Sequence, residues 1–424
     1  MNVYLIVLDS VGIGAAPDAS DYGDTGANTL AHTAAACGGL HLPTLQAMGL
    51  GNIPALTDGQ PIAGVPPVAA PIAAFGAMQE RSAGKDTTTG HWEIAGLLLE
   101  KPLHIFPPGP PSFPPDLLDA LRRATGREVL GNKAANGTAI IDELGPEQLR
   151  TGAWIAYTSA DSVFQIAAHE PTIPLDTLYA ACRLVRQHVN PLQVGRVIAR
   201  PYVGTPGHFS RTDNRRDFSL PLPEKSILSD LAEHTVNVIT VGKLDDIFPD
   251  CGIGESFHVE NNPDAIEAVL SLARRGRMAN TLIFANLIDF DMRHGHRRDA
   301  TGYGAALETA DRFIQDLLEL LAPEDLVIIT ADHGNDPTFK GSDHTREYVP
   351  LLVYGHHVKP GGLGVRQGFF DIAQSLATVF GIPALQRGVS FSRTLAPTPL
   401  KHLTIRDQPE PGRIKIGIGQ RRTR

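Results

Sequence analysis

Thr281-Leu282-Ile283-Phe284-Ala285-Asn286-Leu287-Ile288 is a nearly continuous apolar run that ends in Asp289 and Asp291, with His294 and His296 close behind. A second run, Leu326-Val327-Ile328-Ile329-Thr330, ends in Ala331, Asp332 and His333. Between them Ala306, Ala310, Phe313, Ile314, Leu317 and Leu321 recur on one face of a helix predicted over Gly304 to Leu321. Short apolar runs closed by polar turns read as strands buried on both faces, and the strand, helix, strand order reads as a parallel pair with a crossover. Working outward, Val3 to Leu8, Val236 to Val241 and Val349 to Tyr354 repeat the strand pattern, and Asp371 to Phe380 is a further helix that stops at Gly381. The fold class is therefore α/β, a mostly parallel sheet flanked by helices on both faces.

The remaining length belongs elsewhere. Phe106 to Pro115 holds six prolines in ten residues, too stiff for a helix or a central strand, and reads as a crossing linker. Beyond it lie helices over Asp116 to Ala124 and Leu175 to Val189 and strands over Trp154 to Thr158 and Arg196 to Ala199, until Ser219-Leu220-Pro221-Leu222-Pro223 breaks the pattern again. The expected division is a core of 1–105 and 221–398, an inserted α/β domain over 106–220, and a poorly ordered basic tail over 399–424.

Composition removes several functions. With 37 basic and 46 acidic residues among 424, a net charge of −9 disfavours sequence-blind nucleic-acid binding. No apolar run approaches the roughly 18 residues of a bilayer span, and the start of the chain has no basic segment before its first strand, so no membrane partner and a cytoplasmic location are expected. Cys37, Cys182 and Cys251 are too scattered for a disulfide framework or a thiolate metal site.

Chemistry concentrates where the strands end, as in open α/β sheets generally. Asp9 follows the first strand; Asp289, Asp291, His294 and His296 follow the run at 281; Asp332 and His333 follow the run at 326, and Asp343 and His344 lie in the next loop. Carboxylates with imidazoles and no thiolate suit Mn²⁺ or Zn²⁺, and two clusters of three would hold two ions. Taken singly, each of these residues reads equally as a helix cap, a turn former or a solvated charge, and histidine-rich loops also scavenge metal without catalysing anything. Gly84-Lys85-Asp86-Thr87-Thr88-Thr89-Gly90-His91-Trp92-Glu93 gathers three hydroxyls beside a lysine. One of them is a nucleophile if a metal lowers its pKa; otherwise a threonine caps the helix with Glu93 nearby. Gly12-x-Gly14 lacks a third glycine, Pro17 standing in its place, and no P-loop is present, so nucleotide binding is discarded.

Asp9-Ser10-Val11-Gly12-Ile13-Gly14-Ala15-Ala16-Pro17-Asp18, Gly84-Lys85-Asp86-Thr87, Gly295-His296-Arg297-Arg298-Asp299, Ala331-Asp332-His333-Gly334-Asn335-Asp336 and Asp343-His344-Thr345-Arg346-Glu347 together resemble the prokaryotic phosphopentomutases of the alkaline phosphatase superfamily. The resemblance runs in order over residues 1 to 395 and includes Tyr157 to Ser162 and Gly195 to Pro201. It implies an alkaline-phosphatase-like core with an inserted cap, two Mn²⁺ ions, and interconversion of ribose 1-phosphate and ribose 5-phosphate, with the deoxyribose equivalents, through phosphothreonine and a sugar bisphosphate. By motif position Asp9, Asp332 and His333 would hold one ion and Asp291, His296 and His344 the other. Thr87, directly after Asp86, matches the nucleophile. Arg196 and Arg211 match distal-phosphate contacts, and Ser159, Asp161, Ile198 and Lys243 match substrate contacts. Glucose 1,6-bisphosphate or a similar sugar bisphosphate would prime the enzyme. His294 is an extra imidazole without a place in that pattern. A metal-dependent phosphohydrolase, a cofactor-independent phosphoglycerate mutase with serine in the place of Thr87, and a non-catalytic metal-binding protein are the competing readings.

Overall fold

Strand Asn2–Leu8 is buried at every position, so both faces of the sheet around it are covered and its apolar run cannot alternate. In this computed structural model, which describes residues 1–391 except 58, 160, 250, 277 and 278, that strand lies near the middle of an eight-stranded sheet. The tail expected over 399–424 lies outside the described residues. The spatial order is Glu255–Phe257, Asn237–Val241, Thr281–Leu287, Asn2–Leu8, Leu326–Thr330, Val349–Tyr354, Ala74–Met78 and Gly361–Arg366. All neighbours pair in parallel except Val349–Tyr354, which runs antiparallel to both of its partners. Pro350 fits in that strand because pairing with Leu326–Thr330 begins only at Leu352, so no ladder bond on that side needs its missing N–H.

Register decides where the chemistry falls. Val7 stands opposite both Asn286 and Thr330, and Leu8 opposite Leu287. Three parallel strands therefore end together, and the residues that follow each of them emerge at one edge of the sheet. The helix between two of those strands, Ala300–Leu320, buries Leu307, Ala310, Phe313, Ile314 and Leu317, the face expected from its spacing, and starts four residues before the predicted point because Asp299 caps it by accepting from the Gly302 amide.

A second, six-stranded sheet takes Val129–Ala134, Trp154–Thr158, Val163–His169, Arg196–Thr205 and His208–Arg211 in that order, with Arg216–Ser219 also pairing to Arg196–Thr205. Parallel and antiparallel neighbours alternate here, unlike in the first sheet. One face packs Trp154, Phe164, Ile166, Val197 and Ala199 against helices Pro115–Thr125 and Leu175–Val189. The opposite face places Ile155, Tyr157, Ala167 and Tyr202 beneath Ile140 and Ile141 of helix Gly137–Thr151. The proline-rich segment is more than a linker. Phe106 and Phe113 are buried in the second core with their rings edge to face at 4.8 Å, so this stretch anchors the second sheet as it enters it.

Candidate active site

The three strand ends at the sheet edge bring Asp9, Asp332 and His333 together, with ligand atoms within 4.8 Å of one another; Asp291, His333 and His344 form an equally close second group. His333 Nε2 lies 3.6 Å from Asp9 Oδ1 and 3.3 Å from Asp332 Oδ2. His344 Nε2 lies 3.4 Å from Asp291 Oδ1, and His296 Nε2 lies 3.1 Å from Asp291 Oδ2. His333 thus stands between the two groups, its ring 4.1 Å from that of His344. His296 reaches the second group through Asp291.

Backbone carbonyls set the tautomers. His296 Nδ1 faces the Ser342 carbonyl at 2.6 Å and His333 Nδ1 the Gly334 carbonyl at 3.0 Å; a carbonyl only accepts, so each Nδ1 carries a proton and each Nε2 is the ring nitrogen turned to the cluster. The carboxylates are aimed in the same way. Asn286 Nδ2 donates to Asp9 Oδ2 at 2.8 Å, Asn335 Nδ2 to Asp291 Oδ1 at 2.7 Å, and the Ser10 amide to Asp332 Oδ1 at 2.9 Å. Ser10 holds φ 67° to do this, a left-handed conformation at the tightest point of the turn.

The donor set fits divalent cations. Burial, then Asp332 and Asp291, push the Asp9 carboxyl well above the usual carboxylate range. Burial acts the same way on Asp291, but His344 and His296 outweigh it and hold that carboxyl low. Burial lowers the His333 imidazole even beside Asp332, whereas Asp291 overrides burial at His344 and raises it to about 9. Charge is therefore unevenly offset across the cluster. Asp9 Oδ1, Asp332 Oδ2 and His344 Nε2 are buried and make no well-directed hydrogen bond, although His91 Nδ1 stands 3.1 Å from Asp332 Oδ2 and Asp291 Oδ1 3.4 Å from His344 Nε2. Buried oxygen and nitrogen donors converging with so few well-directed hydrogen bonds are what a hard or borderline cation satisfies.

Thr87 opens helix Thr87–Ile94, and its Oγ1 is 3.1 Å from His333 Nε2. A threonine cap, the alternative reading of this loop, is not what forms: Asp86 is the cap. Its Oδ1 accepts from the Thr89 amide at 3.1 Å and its Oδ2 from the Thr89 hydroxyl at 2.6 Å, because a carboxylate reaches the N3 amide and carries the charge that the helix N-terminus favours. Glu93 instead accepts from the amides of Arg81, Ser82 and Phe369. Gly90 lets this helix lie on the centre, since a Cβ there would come within 2.1 Å of the Asp332 carbonyl oxygen.

Behind the loop lies a buried clamp. Arg346, its side chain 2% exposed, pairs with Glu80 at 2.6 Å and Asp18 at 2.9 Å and donates to the carbonyls of Glu80, Ser82 and Gly84. Lys85 Nζ pairs with Asp24 at 3.0 Å and Asp343 at 3.5 Å. Gly12, which first suggested a nucleotide loop, accommodates Glu347; a Cβ there would meet the Glu347 carboxylate at 2.3 Å. That carboxylate accepts from the amides of Gly14 and Thr29.

Other acids and histidines fall aside. His294 Nδ1 pairs with Asp299 Oδ2 at 2.9 Å, and Asp289 is engaged by Arg293 and the Asn262 amide. Asn286, Asn335 and Ser10 were not singled out from the sequence, although Asn286 is the lone amide within an apolar strand run and so carried a signal.

The residues matched to substrate contacts belong to other elements than Thr87. Ser159 and Asp161 follow strand Trp154–Thr158, and Lys243 precedes the short helix Leu244–Ile247 beside the first sheet. Arg196, Ile198 and Arg211 share one face of the second sheet, as Tyr202 pairs with Arg211 and positions two apart along a strand point the same way. Arg196 is 3.6 Å from Asp217. Among the described residues no hydrogen bond or ion pair joins any of these six to Thr87 or to the carboxylate and histidine cluster.

The family model for the Metalloenzyme superfamily matches residues 1–384. The phosphopentomutase of Alkaliphilus oremlandii is 50% identical over 396 residues, covering 93% of this chain and 99% of that one. That of Anaeromyxobacter dehalogenans is 51% identical over 385 residues, covering 90% and 96%, and that of Kosmotoga olearia 48% over 398, covering 93% and 100%. The alkaline-phosphatase-like α/β fold read from the motifs agrees with these matches. With about half of its residues identical over nearly the full length of both partners, the chain belongs to the phosphopentomutase family of the metalloenzyme superfamily and is an isomerase, an intramolecular phosphotransferase.

Proposed function

We propose that the protein interconverts α-D-ribose 1-phosphate and D-ribose 5-phosphate, and the 2-deoxyribose equivalents, through a phosphothreonine at Thr87 and a sugar bisphosphate. The observation that carries this reading is the Thr87 hydroxyl, 3.1 Å from His333 at the start of a helix that Asp86 caps. Asp9, Asp332 and His333 would hold one Mn²⁺ and Asp291, His296 and His344 the other, and the two ions when bound offset charge on the non-bridging phosphoryl oxygens and lower the pKa of the Thr87 hydroxyl.

The chain's own residues do the rest. Thr87 in its phosphorylated form gives its phosphoryl group to the free hydroxyl of the sugar monophosphate: the Oγ–P bond breaks, a new P–O bond forms on the sugar, and the hydroxyl proton ends on Thr87 Oγ. The bisphosphate turns over and returns its other phosphoryl group to Thr87 by the reverse step. Glucose 1,6-bisphosphate or a similar bisphosphate supplies the first phosphothreonine. The helix start presents its positive end to the phosphoryl group. Arg346 holds the segment over Glu80 to Gly84 from behind, so that Thr87 is placed before substrate arrives.

Residues 106–220 act in this reading as a cap over the site. Arg196 and Arg211 grip the distal phosphate, arginine's planar fork matching its oxygens, and Ser159, Asp161, Ile198 and Lys243 contact the sugar. Closure of the cap keeps water from the phosphothreonine and retains the bisphosphate while it turns. The enzyme works on small pentose phosphates in the cytoplasm. No helix among the described residues is long and apolar enough to cross a membrane.

Phosphorus NMR of ribose 1-phosphate with purified protein, Mn²⁺ and trace glucose 1,6-bisphosphate tests the proposal. Ribose 5-phosphate with little inorganic phosphate is the expected product. Inorganic phosphate as the main product would replace the mutase with a hydrolase.

A further inference from the structure

The polar face of the second sheet holds more cation than its carboxylates offset. Tyr157 pairs with Gln165, Gln165 with Ile198, Ile198 with Asp217 and Tyr202 with Arg211, so Tyr157, Gln165, Arg196, Ile198, Arg200 and Arg211 all stand on one face. Asp217 is the only carboxylate that these pairings put there, and it is taken by Arg215 at 2.7 Å and Arg196 at 3.6 Å. Arg200, half-buried, donates to the Gln165 amide oxygen at 3.0 Å instead of to a carboxylate. Burial, then Arg215 beside it, bring its guanidinium down to about 10.

Tyr157 is the second, independent sign. It is 1% exposed, and its buried hydroxyl finds no acceptor among the described residues, the polar side chain beside it at the Gly137 position being Arg211, which can only donate. A Cβ on Gly137 would come within 1.9 Å of Arg211 Nη2 and 2.5 Å of the Tyr157 hydroxyl, which locates both groups at the first residue of helix Gly137–Thr151. A buried donor with no acceptor and the Arg211 guanidinium meet there, with Arg200 close enough to act on the phenol electrostatically, and an oxyanion satisfies all three; the Thr138 and Ala139 amides of the helix start are already capped by Asn136.

We infer that Tyr157 and Arg200 grip the distal phosphate of the sugar together with Arg211, the phenol donating one hydrogen bond to a phosphate oxygen and Arg200 supplying charge from the neighbouring strand. This rests on the mutase reading, in which Arg211 faces that phosphate. Burial keeps the phenol protonated, with its pKa above the usual value in spite of Arg200 and Arg211, so it is a donor at neutral pH.

Steady-state kinetics with ribose 5-phosphate, on wild type, Tyr157→Phe and Arg200→Gln, test it alongside thermal melting. Tyr157→Phe is expected to raise KM about tenfold, as for loss of a hydrogen bond to a charged group, with kcat within about twofold and melting unchanged or higher. Arg200→Gln is expected to raise KM by at least as much, and Arg200→Lys to recover part of it. A purely structural phenol would instead lower the melting temperature and leave KM alone, and that result, or unchanged KM in both folded variants, overturns the inference. Gly137→Ala, which drives a methyl group into the same spot, should reproduce the KM effect. Wild type that forms no ribose 1-phosphate overturns the mutase reading and this inference together; active wild type beside unaffected variants overturns the inference alone.

Discussion

At the edge of the eight-stranded sheet, Asp9, Asp291, Asp332, His333 and His344 are buried and held by second partners, Asn286, Asn335 and the Ser10 amide among them. On the polar face of the six-stranded sheet, Arg196 and Arg200 are only half-buried and Arg211 and Arg215 are exposed, and Arg200 donates to an amide. Both regions concentrate charge, one mainly negative and one positive, but only the first fixes its geometry through the protein alone. Under the proposed mechanism the contrast matches two tasks. Phosphoryl transfer requires atoms placed in line before the reaction starts, whereas a phosphate grip on a moving cap, as proposed for the second sheet, lets the ligand complete the order.

The largest expected effect removes the centre's hydroxyl. Thr87→Ala should cut the mutase rate at least about a thousandfold while leaving the fold intact, and intact-mass measurement after incubation with glucose 1,6-bisphosphate should show no phosphoryl adduct. Retained activity with an adduct on Thr88 would move the nucleophile by one residue.

Rigidity is the next thing to break. Arg346→Met strands the buried Glu80 carboxylate and should cost about 3–5 kcal/mol in chemical denaturation. Arg215→Met removes the pair to Asp217 from a side chain that is 41% exposed and should cost at most about 1 kcal/mol. Similar losses at the two positions would erase the distinction between a prebuilt centre and a half-solvated grip.

Asn335→Ala releases Asp291 without touching a ligand atom, and calorimetric titration should show Mn²⁺ affinity weaker by about 10–100-fold. Away from the centre, Arg196→Gln should raise KM for ribose 5-phosphate about tenfold and leave kcat and metal content unchanged. A fall in kcat without a change in KM would place Arg196 in the chemistry instead of the grip.

Much of the fold was legible because strand Thr281–Leu287, helix Leu175–Val189 and strand Trp154–Thr158 each declare themselves by a local period and a local stop. The acids and histidines were legible for the same reason, as they follow those strands directly in the chain. Phe106 was misread as linker because prolines around it signal stiffness, and nothing local says that a ring at that point fills a distant core. Asp86 was passed over as the cap because three adjacent threonines are also good caps, and only backbone geometry chooses among them.

Composition, periodicity and strand ends by themselves determined an α/β chain with oxygen and nitrogen donors gathered at a sheet edge. Tertiary structure decided which donors meet. Register aligned Leu8 with Leu287, and so set Asp9 beside residues almost 300 positions away; long-range packing put His333 between two groups, Arg346 behind the threonine loop, and Tyr157 against Arg211 from separate strands. The reason is physical. A local pattern specifies an element and its end, while the partners of that end follow from strand pairing and burial, which are properties of the whole folded chain.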